Sequence, residues 1–234
     1  MAGTKYKLAE QILIRLHKAG LSPHFVLIGS WAVYYYRYYF KNRNYLPSIR
    51  TRDMDFLVSV PPPRVPIPVN MTGILSDLGF VTGFRGEQGY MVLQHSELMI
   101  EFLVPERGRG WSKPFELPDF GVNAQPLRYL DMLLKDTVAV RVCGINLRLP
   151  HPARFALHKL IIAGRRRSMA KAEKDRNEAR KVLTALKTSG EWHTVADCLV
   201  SLPSKWRRTI AKQTAKDDLM EIVELIDKQP GVEK

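Results

Sequence analysis

Two aspartates stand two residues apart at the head of an apolar run, Thr51-Arg52-Asp53-Met54-Asp55-Phe56-Leu57-Val58. Along a strand, residues i and i+2 project from the same face, so the two carboxylates converge. Like charges that close repel unless a cation sits between them, and oxygen-only ligands suit a hard divalent ion such as Mg2+ or Mn2+. Glu101 shares one face of Met99-Ile100-Glu101-Phe102-Leu103 with Met99 and Leu103, and adds a third carboxylate if that strand neighbours the first. Three carboxylates can hold two ions, which stabilise the attacking and leaving oxygens of a phosphoryl displacement. Upstream, Gly29-Ser30 closes the apolar run Phe25-Val26-Leu27-Ile28. A helix starting at such a turn offers free N–H groups and a positive dipole end to phosphates, and Ser30 could add a hydroxyl. Singly, each feature has a plain alternative: Asp-x-Asp recurs in loops, and Gly-Ser before a helix is a good cap. Their order along the chain carries the reading.

The elements that must position these residues follow from periodicity. Residues 4–19 repeat apolar positions at helical spacing (Leu8, Ile12, Leu16) and stop at Gly20 and Pro23. Residues 25–28 read as a buried strand, and 31–40 as an aromatic-rich helix. Pro61 to Pro68 is too proline-rich for helix or inner strand and reads as an extended loop. A helix is expected over 70–78, ending at Gly79, then a hairpin of Tyr90–Gln94 and Leu98–Val104. Beyond 147–152 the pattern is helical: Pro152 to Gly164, about Ala170 to Lys187, Val195 to Leu202, and a last helix capped by Ser204. The expected organisation is an α/β domain over 1–148 and a helical domain over 149–234, with the site in the cleft between them.

With 234 residues, 45% hydrophobic and 25% charged, the chain can build true cores. Cys143 and Cys198 lie in unrelated contexts, which supports neither a disulfide framework nor a cysteine zinc site. A cytoplasmic protein is expected, with no export signal and no membrane insertion. The net charge of +13 favours phosphate-rich partners. Residues 1–148 hold 18 basic and 12 acidic side chains, and 149–234 hold 18 and 11, so the C-terminal part is the more densely basic.

The ordered set resembles the nucleotidyltransferase superfamily of DNA polymerase β-like fold, whose core carries a Gly-Ser turn, a helix, an Asp-x-Asp strand and a third carboxylate on a later strand. It is similar in particular to the minimal, toxin-type bacterial and archaeal members. Pro150-His151-Pro152-Ala153-Arg154-Phe155-Ala156-Leu157-His158-Lys159-Leu160, then Arg165-Arg166 and Lys174-Asp175, resembles the helical region of that subgroup. The resemblance covers most of residues 24–188. It implies a nucleotidyltransferase fold with a short mixed sheet and flanking helices, followed by a helical C-terminal domain. It also implies that Asp53, Asp55 and Glu101 bind metal, with Glu101 activating the acceptor hydroxyl in place of the more usual aspartate. Gly29 and Ser30 would hold phosphates of the NTP. Lys159, with Arg165 or Arg166, would neutralise nucleotide charge, and Asp175 would orient Lys159.

Other readings of these residues stay open on the sequence. Lys159 could lie on a solvated helix face, Arg165-Arg166-Arg167 could serve a helix C-terminus, and Asp175 stands among alternating charges typical of an exposed helix. His151 and His158 read as structural. Tyr34, Tyr35, Tyr36, Tyr38 and Tyr39 invite base stacking, but core packing is the better reading. Walker, dinucleotide, nucleophile-elbow and zinc-protease motifs are absent. The expected reaction transfers a nucleoside monophosphate to an acceptor hydroxyl with release of pyrophosphate. The acceptor is expected to be RNA, as at the 3′ end of a tRNA, in a toxin-like enzyme with an antitoxin partner. The alternatives are a protein or small-molecule acceptor, and a non-catalytic nucleic-acid-binding module.

Overall fold

Leu8, Ile12, Leu13 and Leu16 form the buried stripe of helix α1 (Ala2–Lys18). It ends where Gly20 takes a left-handed φ of 74° and the Leu21 N–H bonds back to the Leu16 carbonyl, with Leu21 buried behind it. In this computed structural model the described residues are 2–41, 45, 47, 51–108, 111, 113–214, 222, 224 and 225. The rest of the expected helical domain, 215–221, 223 and 226–234, lies outside them. The chain divides into two units, residues 1–39 with 46–150, and residues 40–45 with 151–234.

The first unit is a mixed sheet with helices. Strand β1 (Val26–Ile28) is buried throughout and leads directly into helix α2 (Gly29–Phe40). Strand β2 (Asp53–Leu57) runs antiparallel to β1 and parallel to β5 (Met99–Pro105). On the far side of β5 lie β4 (Tyr90–Gln94) and β3 (Val81–Arg85), both antiparallel to their neighbours. The C-terminal half of β5 pairs instead with β7 (Val122–Leu127), which carries β6 (Phe115–Leu117). Helix α3 (Met71–Leu75) starts at Asn70, whose side chain accepts from the Gly73 N–H, and runs into a single 3-10 turn over Ser76–Leu78. Helix α4 (Asp131–Leu134) precedes a hairpin of β8 (Val138–Val142) and β9 (Ile145–Leu149), turned by Cys143 and Gly144, both at positive φ.

The sheet buries both faces unequally. Phe25, Phe56, Phe102 and Phe120 pack ring to ring on one side. On the other, Val26, Ile28, Leu57 and Leu103 meet Leu130 and Leu133 of the α4 region. Tyr35, Tyr36 and Trp31 are fully buried in α2, and the Tyr36 hydroxyl donates to the Pro150 carbonyl at 2.9 Å. Core packing thus explains Tyr35 and Tyr36, while Tyr34 and Tyr39 are half-buried and Tyr38 is exposed.

The second unit centres on α5 (Pro152–Ala163), against which α6 (Met169–Thr188), α7 (Trp192–Val200) and α8 (Ser204–Thr214) pack. Its first turn is capped by His151, whose Nδ1 accepts from the Ala153 N–H, and Ser168 caps α6 the same way through Lys171. Helix α5 is buried almost all round, so Lys159 does not lie on a solvated face.

Candidate active site

Antiparallel pairing places Ile28 opposite Asp55, so the turn into α2 opens beside the second aspartate of β2. Gly29 has φ 67°, a backbone conformation that L side chains rarely adopt. A Cβ built there would lie 2.2 Å from Asp55 Oδ2, so the carboxylate occupies the space a side chain would need. Ser30 is half-buried in the first turn of α2.

Parallel register sets Asp53 opposite Met99 and Asp55 opposite Glu101. Paired residues in a sheet point to one side, so the three carboxylates share a face, each partly open to solvent. Thr51 fixes Asp53: its hydroxyl donates to Asp53 Oδ2 and accepts from the Asp53 N–H, each at 3.1 Å. Glu101 is turned toward Arg85 of β3, whose guanidinium forms an ion pair with it across β4. Burial raises the Glu101 pKa, Arg85 opposes that rise, and the nearby Asp53 charge adds to it. Among the described residues, no three acidic, histidine or cysteine side chains converge closely enough to enclose a metal ion. The donor set still fits a hard cation, because the three carboxylates lie on adjacent strands of one face and crowd each other's charge. The ion pair engages Glu101 Oε1 and leaves Oε2 as the oxygen a cation could share.

In the second unit, Lys159 Nζ lies 2.8 Å from Asp175 Oδ1 and 2.7 Å from Glu178 Oε2, with the Phe155 ring 5.5 Å away. Arg166 Nε donates to the other Asp175 oxygen at 2.7 Å. Two cations and two carboxylates therefore balance in one cluster. Burial pulls the Lys159 pKa down, but Glu178 and Asp175 more than offset it, leaving the ammonium above its ordinary value. Burial likewise pushes Asp175 up, and Lys159 and Arg166 bring it below the usual carboxylate range. Asp175 is 2% exposed, so the alternating charges around it do not mark a solvated position. His158 is buried beside this cluster, and burial holds its pKa down at about 3. Arg165 is exposed in the turn after α5.

Sequence reasoning missed Thr51, Arg85 and Glu178. Arg85 had no local signal, because it meets Glu101 only through the pairing of three strands. Glu178 did: it stands three residues after Asp175, the spacing that puts two side chains on one helix face.

The α/β layout sets a glycine turn against an Asp-x-Asp strand. The sequence supplies the class: a family model described as Nucleotidyltransferase matches residues 7–202, so the chain belongs to the nucleotidyltransferase family and is a nucleotidyltransferase. No curated protein matches the sequence. Among solved structures, the antibiotic-resistance factor ANT(2'')-Ia is similar at 11% identity and a TM-score of 0.46, over 96% of this chain and 98% of that one. The same protein in complex with adenylyl-2''-tobramycin gives 10% identity and a TM-score of 0.45, over 91% and 98%. An antigenic nucleotidyltransferase-like protein from Paracoccidioides brasiliensis gives 11% and 0.46, over 94% and 93%. Among the described residues, no helix is long and apolar enough to cross a membrane.

Proposed function

We propose that this nucleotidyltransferase moves a nucleoside monophosphate from an NTP to a hydroxyl of RNA, at the face formed by Asp53, Asp55 and Glu101. The carrying observation is the closeness of the helix-opening glycine and Asp55, which supports reading the turn as the phosphate site and the carboxylate as a metal ligand beside it. In this reading, backbone N–H groups at Gly29 and Ser30 bind the β- and γ-phosphates, and Asp53 and Asp55 are the metal-holding carboxylates. Mg2+, when bound, neutralises triphosphate oxygens and steadies the leaving group. The acceptor oxygen attacks the α-phosphorus, its proton passes to Glu101, and the bond from the α-phosphorus to the bridging oxygen breaks to release pyrophosphate. Arg85 holds Glu101 in place before substrate arrives.

Further proposals concern the second unit: Arg165 and Arg166 supply positive charge for the nucleotide, and Asp175 keeps Lys159 and Arg166 in position. The net charge of +13 supports RNA as the acceptor over a small neutral molecule. A tRNA 3′ end would suit a toxin-like enzyme restrained by an antitoxin protein. Calorimetry tests the nucleotide half of the reading: NTP binding should require Mg2+ and be lost in Asp55→Asn. Equal NTP affinity in wild type and Asp55→Asn, with and without Mg2+, would overturn it.

A further inference from the structure

The carboxylate face is lopsided. The turn at Gly29 lies on the β1 side of Asp55, whereas Glu101 lies one strand away on the opposite side. A triphosphate seated on the turn therefore leaves the attacking hydroxyl on the side of β5, β4 and β3, next to Glu101. On that side the first unit has a cavity of about 580 Å³, lined in part by Arg52, Asp53, Gln94, His95, Ser96 and Met99. Register explains its floor. Asp53 pairs with Met99, Met99 with Gln94 and Gln94 with Val81, so one row of side chains crosses the carboxylate face. The next row along the strands contains Asp55 and Glu101, roughly 7 Å away at two residues of strand rise.

The lining is rich in hydrogen-bond donors. Arg52 is anchored by one N–H to the His95 carbonyl at 2.8 Å, out of the five donors a guanidinium carries. His95 Nδ1 accepts from the Glu97 N–H at 3.0 Å, so in the neutral ring the hydrogen sits on Nε2 and that nitrogen donates. The imidazole is further fixed against Phe80, at 5.3 Å between ring centroids. Gln94 adds an amide that lies over Gly83, where an added Cβ would come within 2.5 Å of Gln94 Nε2. Of the lining residues only Asp53 is acidic, and the proposed mechanism gives it to the metal. A polycationic acceptor would find no spare carboxylate here, whereas a phosphate would find a guanidinium and an imidazole N–H.

We infer that this cavity is the acceptor subsite, and that it receives the terminal nucleotide of an RNA strand with its phosphate on Arg52 and His95 and its hydroxyl directed to Glu101. The inference rests on the proposed nucleotidyl transfer, but binding tests it separately. A fluorescent RNA oligonucleotide with a free 3′ hydroxyl, titrated without NTP at physiological salt, should bind Arg52→Gln and His95→Gln at least about tenfold more weakly than wild type. The slope of affinity against salt should fall by about one for Arg52→Gln, because one phosphate contact is removed. In turnover, both variants should raise KM for the oligonucleotide and leave KM for NTP unchanged. Arg52→Lys should restore part of the affinity, since it keeps the charge and loses the fork. Unchanged RNA affinity in both variants would overturn the subsite. So would Mg2+-dependent label that enters a small molecule and never RNA, an outcome that leaves nucleotidyl transfer standing. Absence of label on any acceptor, with variant-sensitive RNA binding, would overturn the acceptor role and leave the cavity as an RNA-binding site alone.

Discussion

A Cβ on Gly29 would lie 2.2 Å from Asp55 Oδ2, so the carboxylate of the second aspartate of β2 fills the space that a side chain on the glycine opening α2 would need. Gly29→Ala therefore meets two penalties. Left-handed backbone costs an alanine roughly 1–2 kcal/mol, and the methyl must displace the Asp55 carboxylate. The expected result is a modest fall in Tm with a loss of activity of about a hundredfold or more, far beyond what the stability change explains. Thermal melts and turnover on the same preparation check this; wild-type turnover in Gly29→Ala would contradict it.

Arg85 holds Glu101 in an ion pair, and if Glu101 also binds Mg2+ as proposed, the two cations share one carboxylate. The Arg85 side chain is 57% exposed, so its ion pair contributes little to stability, on the order of 1 kcal/mol or less. Arg85→Ala should leave Tm nearly unchanged and lower the Mg2+ concentration needed for half-maximal activity. A Mg2+ titration of activity reads this directly, and a higher requirement would count against competition.

His158 makes stability fall in acid. Its folded pKa of about 3 lies below the unfolded value of 6.5, so the unfolded chain takes up a proton that the native chain refuses. The stabilisation is fully present above pH 6.5 and is lost as pH falls toward 3, at up to about 1.4 kcal/mol per pH unit. Burial is the leading cause of the shift, followed by the Lys159 charge. Denaturant melts between pH 7 and pH 4 should be steeper in pH for wild type than for His158→Leu. Parallel curves would show that His158 is not the group responsible.

Removing Lys159 takes away the cation that Asp175 and Glu178 share and leaves Arg166 as the remaining counter-charge of Asp175. Lys159→Met should destabilise by about 3–5 kcal/mol, as expected when one partner of a buried pair is deleted. Adding Glu178→Gln should recover part of the loss, because one unneutralised charge is gone. Urea melts of the single and double variants measure the coupling, and additive effects would show that the two residues act independently.

Much of this architecture was legible in the sequence, for local reasons. Alternation from Asp53 to Leu57 marks a strand, Gly20 and Gly79 end helices, and Pro152 opens α5. The local hairpin of β8 and β9 was missed despite the alternation of Val138, Val140 and Val142 and of Ile145, Leu147 and Leu149, and other misses depend on partners distant in the chain. Strand β3 has Gly83 at its centre and only exposed or half-buried residues, and β7 contains Pro126, so neither shows the apolar alternation of a strand. The expected hairpin of β4 and β5 is present, but β5 also pairs with β2 and β7, which no local pattern discloses. The common face of Asp55 and Glu101 follows from that non-local register, and so does the approach of Arg85.

The most direct measurement is transfer of label from an α-labelled NTP to RNA, with Mg2+, by wild type and by Asp53→Ala. Mg2+-dependent label should appear on RNA, matched by released pyrophosphate, with a loss of about a thousandfold or more in Asp53→Ala, as follows from the metal-holding role proposed for its carboxylate. Equal labelling by Asp53→Ala, or none by the folded wild-type protein on any RNA, would contradict the proposed transfer.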